Sequence, residues 1–497
     1  MGVVIRQSFW GSVFAYVGVV IGYLNALYLR PKYLDPEQIG LLNIVVNNAL
    51  LIAPFICLGM PSTLVKYYPH VEKDEARRRS FLSNQIYLIL FANILGALLF
   101  FIFTDDIKSV FEKKSAAYNE YIFLSLMILV SQTFFIQLQS YSRVVLDIVV
   151  PAILKDIYLR IGYALLICLY AANLIDFGDT VKGLTLVYIS ATIIEAMHVL
   201  INQNFKMSLF SWTSMKNWIA ETWNYSIYNL AASAGNSIYT NISFLLITTL
   251  IGLESNGIFT TCFYIGIIIE LPNRAVLMIT APVVSREFKN KNYVEIENLY
   301  QRSSLTLGCI GFLFLIGIVC NIEDLFLMIP NGKVFSQGLY VVMAISFAKV
   351  FDMLFGLNGN ILAYSEHYRV NVYFLLLSVA VLCILNLTLL PTIGINGAGI
   401  AFLVSTILFN LLKHYYIVRH LKISLFTKNH IWLLLIGFGT MLLFYFVSIW
   451  ESPVLNIVGK SALISTFYGI LIYKFNISRD INSFVKSIFK KYLNIKI

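Results

Sequence analysis

Charged side chains are scarce in this 497-residue chain: Asp, Glu, Lys and Arg make up 12% of it, about half the share of a soluble domain. No polar segment is long enough to fold in water by itself, which excludes the two or three globular domains that this length would otherwise suggest. Catalytic signatures are missing too. There is no GxSxG, HExxH, P-loop or glycine-rich dinucleotide fingerprint. The six histidines, His70, His198, His367, His414, His420 and His430, are scattered singly. The six cysteines (Cys57, Cys168, Cys262, Cys309, Cys320, Cys383) show no CxxC and no metal spacing, and read as small buried thiols. No small-residue cleavage site follows the first apolar run, and Arg6 stands where a myristoylation site needs Ser or Thr, so neither a cleaved signal peptide nor that acyl anchor is expected.

Apolar residues are what the chain has. They make up 59% of it, with a mean hydropathy of +0.77, enough for about fourteen spans of about 20 residues each. Uninterrupted runs begin near Trp10, Ile39, Phe81, Tyr121, Tyr158, Leu184 and Ser226, then near Gly257, Ser304, Leu339, Val372, Ile395, Ile431 and Val454. Backbone groups in lipid need partners within their own segment, so these runs are expected to be helices; the alternation of a membrane barrel is absent. The net charge of +10 has no folded soluble face on which to make a nucleic-acid patch. It reports orientation instead. With the N-terminus in the cytoplasm, 27 of the 36 Lys and Arg residues fall on that side, Lys413 among them, seven fall outside, and Lys349 and Lys460 lie within spans. The positive-inside rule then puts both termini in the cytoplasm, which requires an even number of spans. The longest outward connection, about 104–120, carries no histidine, leaving a membrane glycosyltransferase or polymerase no place for its chemistry, so an enzyme is not expected.

Three turns repeat at nearly one offset. Gly40 and Gly257, after spans one and seven, lie 217 positions apart; Thr104-Asp105-Asp106-Ile107 matches Ile322-Glu323-Asp324-Leu325 at 218; Gly178 and Gly183 match Gly394 and Gly399 at 216. The agreement predicts an all-α polytopic protein of two six-helix lobes, 1–222 and 223–420, related by an axis along the membrane normal, followed by two further helices and an amphipathic cytoplasmic tail over 421–497. In that tail Ile481, Phe484, Val485, Ile488, Phe489, Tyr492 and Leu493 share one helical face opposite lysines, the pattern of an interfacial helix.

Ionisable residues at membrane depth are functional candidates because their burial is costly. Lys349 and Asp352 sit at i, i+3 in span ten, either as a self-neutralising pair or as an ion-coupling or phosphate site. Glu195 and His198 repeat the spacing in span six, and His198 plus 216 lands on His414, which allows a proton relay. Glu270 and Arg274 flank Pro272 in span eight, and an arginine there suits a pyrophosphate or, equally, lipid headgroups. Lys155, Asp156 and Arg160 read as interface anchors, Lys66 as a helix-end cation. Uncharged polar residues gather in spans one, two and seven: Tyr16, Tyr23, Asn25, Asn43, Asn47, Asn48, Tyr228, Asn229, Asn236, Tyr239 and Asn241. Amides and phenols hydrogen-bond sugar hydroxyls, and they also tie helices to one another.

The opening Ser8-Phe9-Trp10-Gly11, the run Pro36 to Leu41, the stretch Gly59 to Pro69 ending in Lys66-Tyr67-Tyr68-Pro69, Asn386 with Leu389-Leu390-Pro391, and Gly394, Gly397-Ala398 and Ala401 resemble the polysaccharide exporters, or lipid-linked oligosaccharide flippases, of the multidrug/oligosaccharidyl-lipid/polysaccharide transporter superfamily. The resemblance implies a fourteen-helix, MATE-like carrier of the bacterial inner membrane. Such a carrier moves an undecaprenyl-diphosphate-linked glycan outward by alternating access, without a cofactor but with possible proton or sodium coupling. It implies a lipid-linked glycan, membrane lipids and a polysaccharide polymerase with other assembly proteins as partners, and no nucleic acid. Relatives use a cationic cavity for the diphosphate. Spans one and two here hold no Lys or Arg except Arg30 at the outer end, which leaves Arg274, Lys349 and the cations of the cytoplasmic mouth for the diphosphate. Tyr23, Asn25, Asn47, Asn48, Asn236 and Tyr239 are then the candidates for the glycan, and Glu195, His198, Asp352 and Glu270 those for ion coupling. The alternative reading is a cation-coupled multidrug exporter of the same superfamily.

Overall fold

The computed structural model describes residues 2–203 and 205–492, the side chains of 2–6, 8, 9, 12 and 488–492 excepted. All regular structure among the described residues is helical. Eleven helices there are long and apolar enough to cross a membrane: α1 (2–33), α2 (Pro36–Cys57), α3 (Glu75–Ile102), α4 (Tyr118–Val144), α6 (Phe177–Asn202), α8 (Leu253–Lys289), α9 (Tyr293–Cys320), α10 (Gly332–Leu354), α11 (Tyr368–Ile393), α12 (Ile395–Leu421) and α14 (Pro453–Lys474). Three more polar helices stand where the sequence predicts the remaining spans: α5 (149–171), α7 (Trp212–Leu250) and α13 (Lys428–Tyr445). Their first turns and polar faces explain the difference: Lys155, Asp156 and Arg160 near the start of α5, the Asn and Tyr residues of α7, and Lys428-Asn429-His430 opening α13.

Helix starts follow local chemistry. Asp35 caps α2 by accepting from the Gln38 N–H at 2.9 Å, while Gln38 Oε1 accepts from the Asp35 N–H at 3.2 Å, with Pro36 in the first turn. Asp74, Asp176, Ser211 and Asn292 cap α3, α6, α7 and α9 by accepting from an N–H of the first turn. A last helix, α15 (Arg479–Tyr492), follows α14; Phe484 on its apolar face is 65% exposed, as a helix lying on a bilayer surface requires. Of the tail face read from the sequence, the side chains of Ile488, Phe489 and Tyr492, and Leu493 altogether, lie outside the described residues.

Two compact units form, Met1–Thr260 and Thr261–Ile497. In the first, α2 packs between α4 and α7, and α6 packs on α4. Compactness divides the chain elsewhere than the repeat does, because α7 is bound to earlier helices: Ser237 Oγ donates to the Leu50 carbonyl at 2.8 Å, and the Thr63 and Ser226 hydroxyls meet at 2.7 Å. In the second unit α12 packs on α10 and α11, and α9 packs on α10 and α13. Central and peripheral helices separate clearly: 72% of the most apolar window of α9 is buried, against 28% for α11. Large apolar side chains such as Ile102, Ile201, Ile279 and Phe446 stand exposed on the surface of the two units.

The repeated glycines meet each other. A Cβ on Gly40 would strike the Leu253 carbonyl, and one on Gly257 would strike the Pro36 carbonyl. One turn on, Asn43 Nδ2 donates to Thr260 Oγ1 at 2.6 Å and to Asn256 Oδ1 at 2.9 Å. Pro36 and Leu253, Gly40 and Gly257, and Asn43 and Thr260 are each separated by 217 positions. The starts of α2 and α8 therefore cross on a local two-fold axis, in direct backbone contact.

Candidate functional site

In the second unit α8 is interrupted by a 3₁₀ turn, Ile268–Glu270, just before Pro272, whose ring nitrogen has no proton for the helix ladder. The break turns Glu270 toward α10, where Lys349 Nζ donates to Glu270 Oε2 at 2.6 Å; Arg274 Nε lies 3.7 Å from Glu270 Oε1. Lys349 Nζ also sits 5.4 Å from the centroid of the Phe402 ring on α12. Two cations share one carboxylate, so the group keeps one positive charge. Lys349 is 15% and Arg274 64% exposed, which makes the arginine the half that reaches a ligand first.

The expected pairing of Lys349 with Asp352 is corrected. Helical spacing puts them on one face, but Lys349 bonds α8 while Asp352 turns to α12, where Asn410 Nδ2 donates to Asp352 Oδ1 at 2.9 Å and Asn358 Nδ2 to Asn410 Oδ1 at 2.7 Å. Lys413, counted from the sequence among the loop cations, is instead 5% exposed on α12, with its ammonium 3.7 Å from the centroid of the Phe409 ring. Asn410 and Lys413 were missed because a sequence shows them only as one amide and one helix-end lysine.

In the first unit Glu195 and His198 belong to one hydrogen-bonded chain, assembled from three segments. Ser142 Oγ donates to the fully buried Glu195 Oε1 at 2.7 Å and accepts from Gln203 Nε2 at 3.1 Å. Gln203 Nε2 also donates to Asp147 Oδ2 at 3.1 Å, and that oxygen meets His198 Nε2 at 2.7 Å. Glu195 Oε2 is buried with no partner among the described residues. His414 does not repeat this chemistry: its ring packs among Tyr300, Phe355 and Phe426, with Nδ1 buried and unpaired.

The polar residues of α1, α2 and α7 divide. Asn25, 2% exposed in a π-helical turn, donates to the Arg160 carbonyl at 2.8 Å, and Asn48 donates to Tyr118 Oη at 2.9 Å. Asn48 lines an almost wholly apolar cavity of about 390 Å³ with Phe100, Phe111 and Leu246, a poor setting for sugar hydroxyls. Asn47 is half-buried and Asn236 exposed, and neither side chain has a hydrogen-bond partner among the described residues. Tyr23 and Tyr239 are half-buried and partnered. Among the anchors, Arg160 lies against Gly18 and Gly22 of α1, 3.7 Å from Asp156, and Lys66 Nζ stands 3.9 Å from the centroid of the Tyr225 ring.

Apolar helices with paired charges at membrane depth define a multi-pass membrane protein, and its fold is that of the lipid flippases and multidrug transporters. The solved structure of the lipid II flippase MurJ in an inward closed conformation superimposes with a TM-score of 0.75 over 94% of this chain and 99% of that one, at 13% identity. An inward-facing multidrug resistance MATE family transporter of the MOP superfamily gives 0.59 over 80% and 93%, also at 13% identity. The family described as "Polysaccharide biosynthesis protein" matches residues 4–288, and the chain belongs to it. The capsular polysaccharide biosynthesis protein CapF of Staphylococcus aureus is 24% identical over 195 residues, 38% of this chain and 48% of that protein, so the chain spans about half the length of the curated relative it matches.

Proposed function

We propose that this protein is a flippase for a lipid-linked oligosaccharide. It carries an undecaprenyl-diphosphate-linked unit of capsule, O-antigen or exopolysaccharide from the cytoplasmic to the outer leaflet of a bacterial inner membrane. Both termini lie in the cytoplasm, fourteen spans form, and the lobes 1–222 and 223–420 work by alternating access, with 421–497 appended. The observation that carries the reading is the Glu270–Lys349–Arg274 cluster, found in a member of the polysaccharide biosynthesis family. Its surplus positive charge suits a diphosphate, since Arg274 offers a planar fork of donors and Lys349 a point charge held in place by Glu270. Asn47 and Asn236, with unengaged amides, are the best placed of the polar candidates to meet sugar hydroxyls. In this reading the glycan leaves as it entered, with no covalent bond made or broken.

A second reading, a cation-coupled multidrug exporter, draws on the MATE likeness and on buried Glu195 with its unpaired oxygen. Reconstitution separates the two. Purified protein in vesicles holding a fluorescent polyprenyl-diphosphate oligosaccharide should expose the glycan to an external quencher, and Arg274→Gln should slow this at least tenfold. Ethidium extrusion without glycan translocation would replace the flippase by the exporter.

A further inference from the structure

A cavity of about 440 Å³ opens in the second unit where α9, α13 and α15 begin. Three cations line it, Arg302, Lys428 and Arg479, against one carboxylate, Glu295. Arg302 holds Asp480 at 2.5 Å, just outside the lining, whereas Lys428 and Arg479 have no ion-pair partner among the described residues. Two helix N-termini converge on the same space. Lys428 opens α13 behind the cap Thr427, and Arg479 opens α15 behind Ser478, whose Oγ accepts from the Ile481 N–H at 3.3 Å. Asn429 Nδ2 fixes these starts side by side by donating to the carbonyls of Asn476 at 3.2 Å and Ile477 at 3.0 Å. Each N-terminus adds roughly half a positive charge and free N–H donors. After Glu295 and Asp480 are set against the cations, the walls keep about two positive charges, counting the helix ends. A second cavity of about 430 Å³ shares Arg479 and adds Lys486.

We propose that this cavity binds the phosphate of an anionic phospholipid headgroup. Phosphate oxygens suit the two unpaired cations and the helix N-termini together. A lipid, and not a free ion, is argued by the setting: α15 shows Phe484 outward as an interfacial helix does, and apolar Leu305 and Ile477 line the cavity beside the cations. This end of the unit carries the basic loops that the sequence assigns to the cytoplasmic leaflet. The site therefore pins α13 and α15 to that leaflet through one bound lipid, whatever the protein transports.

The test uses the full chain in nanodiscs of equal phosphatidylglycerol and phosphatidylcholine, with the lipids retained after extraction measured by native mass spectrometry. The wild type should retain phosphatidylglycerol in preference, and Lys428→Gln with Arg479→Gln should lose that preference by about fivefold for each cation removed. Arg419→Gln, outside the cavity, should change nothing. If the double variant aggregates, Arg479→Gln alone decides, with its fivefold loss. The proposal fails if the wild type shows no preference, if the variants retain phosphatidylglycerol as the wild type does, or if Arg419→Gln loses as much. It fails also if inorganic phosphate, in detergent without lipid, raises thermal stability as much as phosphatidylglycerol does, since the ligand is then the free anion.

Discussion

Replacing Lys349 with methionine removes the closer of the two cations that Glu270 holds. What remains is Arg274 at 3.7 Å in place of Lys349 at 2.6 Å. By distance alone that contact is worth about 0.7 of the lost one, and Arg274 is 64% exposed, so water screens it further. Breaking a buried pair from one side costs about 3–5 kcal/mol. Glu270 is 25% exposed, which puts Lys349→Met at the low end, about 3 kcal/mol. Adding Glu270→Gln removes the stranded charge, and the double variant should recover to within about 1 kcal/mol of the wild type, a gain of about 2 kcal/mol over Lys349→Met alone. Thermal unfolding of the detergent-solubilised full chain measures the four stabilities, and glycan translocation in vesicles measures the four activities. Stability should return in the double variant while transport does not, because the cations that meet the diphosphate fall from two to one. Equal stability of Lys349→Met and wild type would refute the buried pair; wild-type transport by the double variant would remove the cluster from the substrate path.

Gly40→Ala and Gly257→Ala each drive a methyl into a backbone carbonyl and should each cost about 1–3 kcal/mol or more in thermal unfolding, whereas Gly317→Ala, with open space around its Cβ, should be silent. Glu195→Gln should leave stability nearly unchanged, because the amide oxygen still accepts from Ser142, but it should flatten the pH dependence of transport; an unaltered profile would exclude Glu195 from coupling. Asn410→Ala strands Asp352 and Asn358 and should cost about 1–3 kcal/mol, and Asp352→Ala added to it should recover part of that loss in the same unfolding assay.

The helices were legible because lipid leaves an apolar run only one way to satisfy its backbone. The glycine repeat was visible as an offset. Partners were not. Spacing at i, i+3 fixes a shared helix face, but a face can meet two neighbours, so Lys349 found Glu270, 79 positions away, and Asp352 found Asn410, 58 away. The chain joining Glu195 to His198 was hidden in the same way, since Ser142, Asp147 and Gln203 come from the end of α4, the following turn and the end of α6. Lys413 was misread because a lysine near the end of an apolar run is ordinarily solvated, and only packing shows it turned inward.

The crossing of Gly40 and Gly257 limits the motions open to α2 and α8. With backbone set against backbone and no side chain between, sliding either helix by one residue would push Ile39, Leu41, Asn256 or Ile258 into the opposite carbonyl. Rotation about the point of contact avoids that clash, as with the pin of a pair of scissors, and is opposed instead by the bonds of Asn43 to Asn256 and Thr260 one turn on. A turn of about 10° there would swing the end of α2 at Cys57, about 26 Å away at about 1.5 Å per residue, through about 4.5 Å, so a small change of angle at two glycines becomes a displacement of molecular size at the opposite end of the helix.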